Sequence, residues 1–214
     1  MDILSIEERL RHAMLKTPPP RGDSDLNPGM RPLRPDLIDA AVLIPLIQRD
    51  EGPTVLLTCR TAHLRDHGGQ IAFPGGRRDL TDASLIETAL RETEEEVAIA
   101  RHQVQVLGQM VPYVTRTGYT VTPVIGSINP PITPRPEPRE VDEIFEVPLH
   151  FLLNRANHQR HSQEVAGVKR HFYAIPFGNF YIWGATAGMI VNLTDILETV
   201  AEEVIEEHET AEIA

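Results

Sequence analysis

The clearest periodic segment of the chain covers residues 84–97. Its core-facing positions recur at the i, i+3, i+4, i+7 spacing of one helix face, at Ile86, Ala89, Leu90, Thr93 and Val97. Asp82 or Ser84 is placed to cap the start, and Ser84 followed by Glu87 fits a capping box. The pattern therefore predicts an amphipathic helix here.

Short apolar and β-branched runs bounded by turn residues predict strands elsewhere. These runs are residues 40–47, 55–58, 103–110, 119–128, 144–147 and 170–175. Helical patterns are predicted over residues 3–16, 149–153, 184–192 and 196–207. Strands interspersed with a few helices indicate one α/β (α+β) domain with a mixed sheet.

Proline is concentrated near the N-terminus and interrupts regular structure there. Residues 17–36 contain six prolines and predict an extended, irregular arm. We expect residues 1–36 to form an N-terminal helix and proline-rich arm that packs on the domain. The domain itself is expected to cover residues 37–214, with no internal repeat or boundary.

Composition and net charge limit the kinds of molecule that the protein is expected to bind. The 214 residues have 41% hydrophobic and 24% charged side chains, which is ordinary for a globular protein. A net charge of −11 argues against a nucleic-acid groove or an anionic membrane surface. A phosphorylated small molecule remains compatible if cations bridge it to acidic side chains.

The sequence shows no recognisable secretory signal and only one cysteine, and both observations lead us to expect a cytoplasmic protein. Cys59 is the only cysteine, so neither an internal disulfide nor a cysteine-rich zinc site is available. No apolar run reaches the length of a membrane span, and the acidic N-terminus lacks the features of a secretory signal. We therefore expect no membrane partner.

The predicted helix carries clustered carboxylates on one flank. At 100° per residue, Glu92, Glu95 and Glu96 occupy one arc of about 100°, whereas Glu87 and Glu94 fall on the opposite flank. Like charges this close repel and raise each other's pKa unless a cation lies between them. The hard cations Mg²⁺ and Mn²⁺ accept such oxygen ligands together with phosphate oxygens.

A glycine turn precedes this helix and favours a binding site over a merely solvated acidic face. Gly75 and Gly76 allow close approach of the backbone, where a carbonyl oxygen would add a ligand. The alternative is a structural or scaffolding protein whose acidic helix is only hydrated. Metal-dependent activity distinguishes the two.

Residues 76–99 resemble the Nudix box, the signature of hydrolases that act on nucleoside diphosphates linked to another moiety. The segment from Arg91 to Ile99 matches the second half of that box. Thr93 and Ala98 stand where the usual pattern has an aliphatic residue and a glycine. Asp82 lies one residue further from Arg91 than the pattern requires, which leaves its role open.

The segment before the box is similar to a motif of one subfamily, the coenzyme A pyrophosphatases. Leu56 to Thr61, then Arg65, Gly69 and the run Phe73 to Gly76, agree with every fixed position of L-L-T-x-R-[ST]-x3-R-x3-G-x3-F-P-G-G. Together the two motifs cover residues 56–99.

The resemblance implies a Nudix fold, with a mixed sheet between helices and a loop–helix–loop box. It implies metal-dependent hydrolysis of coenzyme A to 3′,5′-ADP and 4′-phosphopantetheine. The metal ligands for Mg²⁺ or Mn²⁺ would be Glu92, Glu95 and Glu96. Arg91 would pair with and orient a neighbouring carboxylate.

Other roles that the resemblance suggests remain open between alternatives. The base is either a box glutamate such as Glu95 or an acid of a later loop, for which the candidates are Glu140, Asp142 and Glu143. Substrate binding is assigned to the backbone at the two glycines and to the side chains of Arg60 and Arg65. The two arginines either contact phosphate or form salt bridges with the box acids.

Three rival functions follow from the same residues. One is a Nudix hydrolase for another small molecule, such as ADP-ribose or a (d)NTP; the others are a catalytically silent binding module and the scaffold. The sequence leaves open whether free, acylated or oxidised coenzyme A is the substrate. An apolar stripe over residues 196–205 suits either the protein's own core or an oligomer contact, so both monomer and homodimer are expected states.

Overall fold

The secondary structure consists of helices and strands interspersed along the chain, as the pattern predicts. The computed structural model describes residues 3–15, 19–63 and 68–212. The helices in this part are α1 (Ile3–Leu15), α2 (Leu85–Val97), α3 (Leu149–Leu152) and α4 (Ala185–Glu212). The strands are β1 (Arg21–Gly22), β2 (Ile38–Ile47), β3 (Thr54–Arg60), β4 (Ile71–Ala72), β5 (Gly75–Arg77), β6 (Val104–Gln109), β7 (Tyr113–Val114), β8 (Tyr119–Ile128), β9 (Val141–Pro148), β10 (Gln159–Val165), β11 (Val168–Phe177) and β12 (Phe180–Trp183).

A mixed nine-stranded sheet forms the centre of the molecule. Its main path runs β1-β7-β8-β2-β3-β4, and β5, β6 and β9 pair with β2, β8 and β3 respectively. Strands β2 and β8 are parallel along their whole length, from Ile38 opposite Tyr119 to Ile47 opposite Ile128. Both strands are largely buried, and β2 is correspondingly almost continuously apolar.

The two faces of the sheet are covered by different helices. Alternate residues of β2 point to opposite faces. Ala41 and Leu43 pack with Ala89 and Leu90 of α2. On the other face, Ile44 belongs to the core cluster that includes residues of α1 and α4. This arrangement confirms the predicted mixed sheet between helices.

A second sheet, in the order β10-β11-β12, was only partly predicted. All seven residues of β10 are exposed, so the strand lacks the alternation that marks a half-buried strand. The predicted strand over 170–175 corresponds to the central strand, β11. The sequence pattern also gave no prediction of the short strands β1, β4, β5 and β7 or of the strand β12.

The prediction of two closing helices was wrong, because α4 is a single helix. Its interruption was expected around residues 193–195, but Asn192 and Thr194 are both buried within it. The Thr194 hydroxyl donates to the Ile190 carbonyl at 3.0 Å, so the helix satisfies this polar group itself.

The proline-rich arm contacts the rest of the molecule at defined points. Its strand β1 pairs in parallel with β7, and a 3₁₀ turn follows at Asp23–Asp25. The Asn27 side chain donates to the His171 carbonyl at 2.9 Å and accepts from the His171 amide at 2.8 Å. Across the described residues, no helix is long and apolar enough to cross a membrane.

Candidate active site

Helix α2 is fixed at both ends and along its buried face. The Ser84 hydroxyl accepts from the Glu87 amide at 3.2 Å and caps the N-terminus, as predicted. Thr93 is fully buried, and its hydroxyl donates to the Ala89 carbonyl at 2.7 Å. A threonine is therefore tolerated where the usual box pattern has an aliphatic residue.

The two glycines form strand β5 rather than a free turn, and both lie against the helix or the sheet. The Gly75 amide donates to Oε2 of Glu96 at 3.0 Å. A Cβ at Gly75 would lie 2.5 Å from the Val42 Cα, and one at Gly76 would lie 2.6 Å from the Glu92 carboxylate. Gly75 therefore needs to be glycine, because a side chain there would collide with the backbone of β2, whereas a side chain at Gly76 would displace the Glu92 carboxylate.

Glu96 is a buried carboxylate with two partners. Its side chain is only 3% exposed, and Oε1 lies 3.3 Å from Nη1 of Arg60. Burial raises the pKa of Glu96 to about 7, although the Gly75 amide and Arg60 act in the opposite direction. Arg60 therefore forms a salt bridge with a box acid, one of its two expected roles.

Glu92 lies one helical turn before Glu96 and is also partly enclosed. Its carboxylate is 2.9 Å from Nη1 of Arg91, and its side chain is 15% exposed. Burial raises the pKa of Glu92, against the lowering effect of Arg91. The charge of Glu92 in turn helps to raise the pKa of Glu96. The two carboxylates are thus close enough for the charge of one to affect the pKa of the other.

Arg91 is held by Asp82, whose role the sequence left open. Nε and Nη2 of Arg91 donate to the two carboxylate oxygens of Asp82, both at 3.0 Å. Asp82 Oδ2 also accepts from the Thr88 hydroxyl and the Asp79 amide, both at 2.9 Å. Arg91 holds the pKa of the buried Asp82 well below its usual range. Asp82 therefore anchors the arginine that contacts Glu92.

The other predicted site residues that the structure describes are exposed. The Glu95 side chain is 59% exposed and lies 3.0 Å from Nη1 of Arg91. Glu140 is exposed, but its charge contributes to the raised pKa of both Glu92 and Glu96. Arg65 lies outside the described residues. Asp142 and Glu143 are exposed residues of β9.

The side chains present suit a hard cation without already forming a complete site. Among the described residues, no three His, Cys, Asp or Glu side chains are grouped closely enough to hold a metal ion. Glu92 and Glu96 nevertheless supply hard oxygen donors, and burial raises the pKa of both carboxyl groups, a cost that a bound cation would offset. This donor chemistry fits Mg²⁺ or Mn²⁺.

A family comparison agrees with this fold. The model described as the NUDIX domain matches residues 37–174, more than half of the chain. The chain belongs to the Nudix family and is a Nudix hydrolase, an enzyme that acts on a nucleoside diphosphate derivative. Enzymes of this family generally need divalent metals such as Mg²⁺ or Mn²⁺.

The chain is similar in sequence to Nudix hydrolases called NudL. It is 47% identical over 154 residues to the uncharacterized Nudix hydrolase NudL of Yersinia enterocolitica, covering 72% of this chain and 78% of that protein. NudL of Yersinia pestis is also 47% identical, with 72% and 77% coverage.

Solved structures that part of the chain resembles include RenU and a MutT protein. RenU, a Nudix hydrolase from M. smegmatis, has 27% identity and a TM-score of 0.46, covering 53% of this chain and 71% of that one. The MutT protein of Methanosarcina mazei has 22% identity and a TM-score of 0.47, covering 80% and 97%.

Proposed function

We propose that this enzyme hydrolyses the pyrophosphate bond of coenzyme A to 3′,5′-ADP and 4′-phosphopantetheine. The observation that carries this proposal is the motif over residues 56–76, which agrees at every fixed position with that of the coenzyme A pyrophosphatases. The Nudix box alone indicates that the substrate is a nucleoside diphosphate derivative, but it does not indicate which one.

The motif lies beside the acids of α2, which supports a role at the same site. Leu56 and Leu57 are fully buried on β3, and the Thr58 hydroxyl donates to the Ala72 carbonyl at 3.1 Å. Phe73 is also buried, and the Pro74 carbonyl accepts from the Leu43 amide at 2.8 Å. These contacts fix the strand that leads into Gly75 and Gly76.

The proposed metal ligands are Glu92, Glu95 and Glu96. When bound, Mg²⁺ or Mn²⁺ would neutralise pyrophosphate oxygens and lower the pKa of the attacking water. The Gly75 amide and Arg60 hold the two oxygens of Glu96 in place. Arg91 contacts both Glu92 and Glu95 and so fixes their spacing on the helix.

Two acids remain candidates for the base that accepts the proton of water. Glu95 is the most exposed of the three box acids, and Glu140 lies near enough to influence the pKa of the other two. Comparing pH–rate profiles of Glu95→Gln and Glu140→Gln tests the choice, since loss of the base removes the profile's acidic limb.

The substrate assay should compare compounds that share the pyrophosphate but differ at its ends. The protein is incubated with coenzyme A, acylated and oxidised coenzyme A, ADP-ribose and nucleotides, first with Mg²⁺ and then with Mn²⁺. Products are identified by mass. We expect 3′,5′-ADP and 4′-phosphopantetheine from coenzyme A. Faster cleavage of ADP-ribose or a nucleoside triphosphate would overturn the substrate assignment.

A matched pair of variants on α2 tests the metal assignment. Glu96→Gln should lose turnover and weaken Mn²⁺ binding while its circular dichroism stays unchanged. Glu94→Gln is the control, because Glu94 is exposed on the opposite flank, 3.1 Å from Nε of Arg101. Near-normal activity in Glu96→Gln would disprove the metal assignment.

A further inference from the structure

A cleft beside the acids of α2 has no role in the site described so far. It is formed by residues 37–39, at the start of β2, and residues 77–80, which follow the two glycines. Its volume is about 460 Å³, within the range of small-molecule sites, and it is a shallow surface cleft rather than an enclosed cavity. The cleft therefore has room for a nucleoside-sized group.

The backbone at one end of the cleft is fixed to the catalytic helix. Arg77 is opposite Ala40 in the β5–β2 pair, and its carbonyl accepts from Nη2 of Arg91 at 3.2 Å. The preceding residue, Gly76, lies against the carboxylate of Glu92. A ligand in the cleft would thus lie beside Gly76 and Arg77, the two residues that contact Glu92 and Arg91 of α2.

Arg77 presents an uncommitted positive charge to the cleft. Its residue is exposed, and no carboxylate in the described parts of the chain forms an ion pair with its guanidinium. Arg78 also lines the cleft, but it donates through Nη2 to the Asp82 carbonyl at 3.2 Å. A guanidinium is well suited to bind a phosphate monoester with two hydrogen bonds.

The other side chains of the cleft suit a nucleoside. Leu37 and Leu80 are unusually exposed for leucines, at 42% and 102%, and both line the cleft. A base placed against them would remove their apolar surface from water. Asp39 adds an acceptor that suits an exocyclic amino group or a ribose hydroxyl.

From these contacts we infer that the cleft binds the 3′-phosphoadenosine half of the substrate, with Arg77 on the 3′-phosphate and Leu80 against the base. The inference rests on the proposed function and names a specificity subsite for it. Only one ribose separates the pyrophosphate from the base and the 3′-phosphate, so this half must lie close to the metal acids. The pantetheine arm carries no anionic group and would make no use of Arg77.

The decisive comparison is coenzyme A against dephospho-coenzyme A, which differ only in the 3′-phosphate. Arg77→Ala should lower kcat/KM for coenzyme A roughly 10-fold, chiefly through KM, because a hydrogen bond to a charged group is lost. Its kcat/KM for dephospho-coenzyme A should stay unchanged. Leu80→Ala should raise KM for both substrates, because both carry the base.

Arg160→Ala is the matched control, since it removes an exposed arginine from β10 in the other sheet. It should leave both substrates unaffected. Equal losses for both substrates in Arg77→Ala, or none for coenzyme A, would overturn the inference while leaving coenzyme A hydrolysis by the wild type intact.

A binding measurement separates the subsite from the proposed reaction. Calorimetry with 3′,5′-ADP and with AMP, in the absence of metal, should show tighter binding of 3′,5′-ADP, and Arg77→Ala should abolish the difference. If the wild type shows this preference but does not cleave coenzyme A, the subsite stands and the proposed function fails. If it cleaves coenzyme A without this preference, the subsite fails.

Discussion

At the scale of single residues, the site places charged groups where they disfavour folding unless paired. Glu96 is almost fully buried, yet its nearest cation, Arg60, lies at 3.3 Å. Asp82 is also buried but accepts two hydrogen bonds from Arg91. Burial dominates at Glu96 and pairing dominates at Asp82, so their pKa values shift in opposite directions.

The raised pKa of Glu96 makes a testable prediction for the metal-free enzyme. Because its folded-state pKa is about 7, the stability contributed by its protonated form is fully present below about pH 4.5 and lost as pH rises through about 7. Glu96→Gln keeps a neutral group at every pH. In EDTA at pH 8 this variant should be more stable than wild type by roughly 1–3 kcal/mol in urea unfolding.

Near pH 5 the advantage of Glu96→Gln should disappear, because the wild-type carboxyl is then protonated in the folded state. Glu94→Gln should show no such pH-dependent difference, since Glu94 forms only an exposed ion pair with Arg101. A Glu96→Gln variant less stable than wild type at pH 8 would contradict the prediction.

Asp82→Asn should destabilise the fold and impair catalysis together. The variant removes the negative charge from the bidentate pair with Arg91, while Arg91 keeps its contacts with Glu92, with Glu95 and with the Arg77 carbonyl. We expect a loss of about 3 kcal/mol in unfolding free energy, as for other partly broken buried ion pairs. Asp50→Asn, in an exposed turn, is the control and should change stability by less than about 0.5 kcal/mol.

The pH dependence of this pair follows from the lowered pKa of Asp82. Its contribution is present above the ordinary carboxyl range and is lost as pH falls through the lowered value. Wild type should therefore lose its advantage over Asp82→Asn in acid. An Asp82→Asn variant as stable as wild type at pH 7 would show that the pair does not stabilise the fold.

At the scale of elements, α2 ends in a conformation that its sequence does not favour. Ala98 follows the last residue of the helix with φ of 55°, and its amide donates to the Glu94 carbonyl at 3.1 Å. This left-handed end normally takes glycine, the residue expected here from the family pattern. Ala98 is also exposed, so its methyl group contributes little packing.

Ala98→Gly should therefore raise the unfolding free energy by about 1 kcal/mol, because glycine adopts this conformation without a Cβ clash. Ala100→Gly provides the control two residues later. Ala100 has φ of −65°, so glycine there should lower stability by about 0.5 kcal/mol or more through backbone entropy. Chemical denaturation of the three proteins compares them, and a destabilised Ala98→Gly would refute the backbone argument.

Elements with a strong period were predictable, and those shaped by tertiary contacts were not. The apolar stripe and the Ser84 cap predicted α2 because both signals are local. Strand β5 was missed because glycine has low strand propensity and its pairing depends on β2. The break predicted between residues 192 and 196 does not occur, and Asn192 and Thr194, residue types that are common at helix ends, lie buried within α4.

In the site as well, features with a local sequence signal were predictable and features that depend on tertiary contacts were not. The spacing of Glu92, Glu95 and Glu96 was visible because helical geometry converts sequence distance into direction. The anchoring of Arg91 by Asp82 depends on how the loop before α2 folds back onto it. The cleft at Arg77 depends on pairing between β5 and β2, so no local signal marks it.

At the scale of the whole molecule, the arm before the matched family region is part of the packed structure. The family model begins at residue 37, yet Ile6 and Leu10 of α1 belong to the main core cluster. Arg9 donates through Nη1 to the Leu197 carbonyl of α4 at 2.6 Å. Asn27 fixes the arm to His171 of the second sheet. The N-terminal segment thus joins both sheets and α4.

This packing predicts that α1 stabilises a domain whose family signature excludes it. Leu10→Ala should lower the unfolding free energy by about 2–5 kcal/mol, because Leu10 is 1% exposed and its removal leaves a cavity. Leu33→Ala makes the same substitution in the arm, where Leu33 is 64% exposed, and should change stability by less than about 0.5 kcal/mol. Urea unfolding measures both, and equal stability of the two variants would show that α1 is not part of the cooperative unit. Because Leu10 belongs to the core cluster on the face of the sheet opposite α2, turnover of folded Leu10→Ala at low temperature should remain close to wild type.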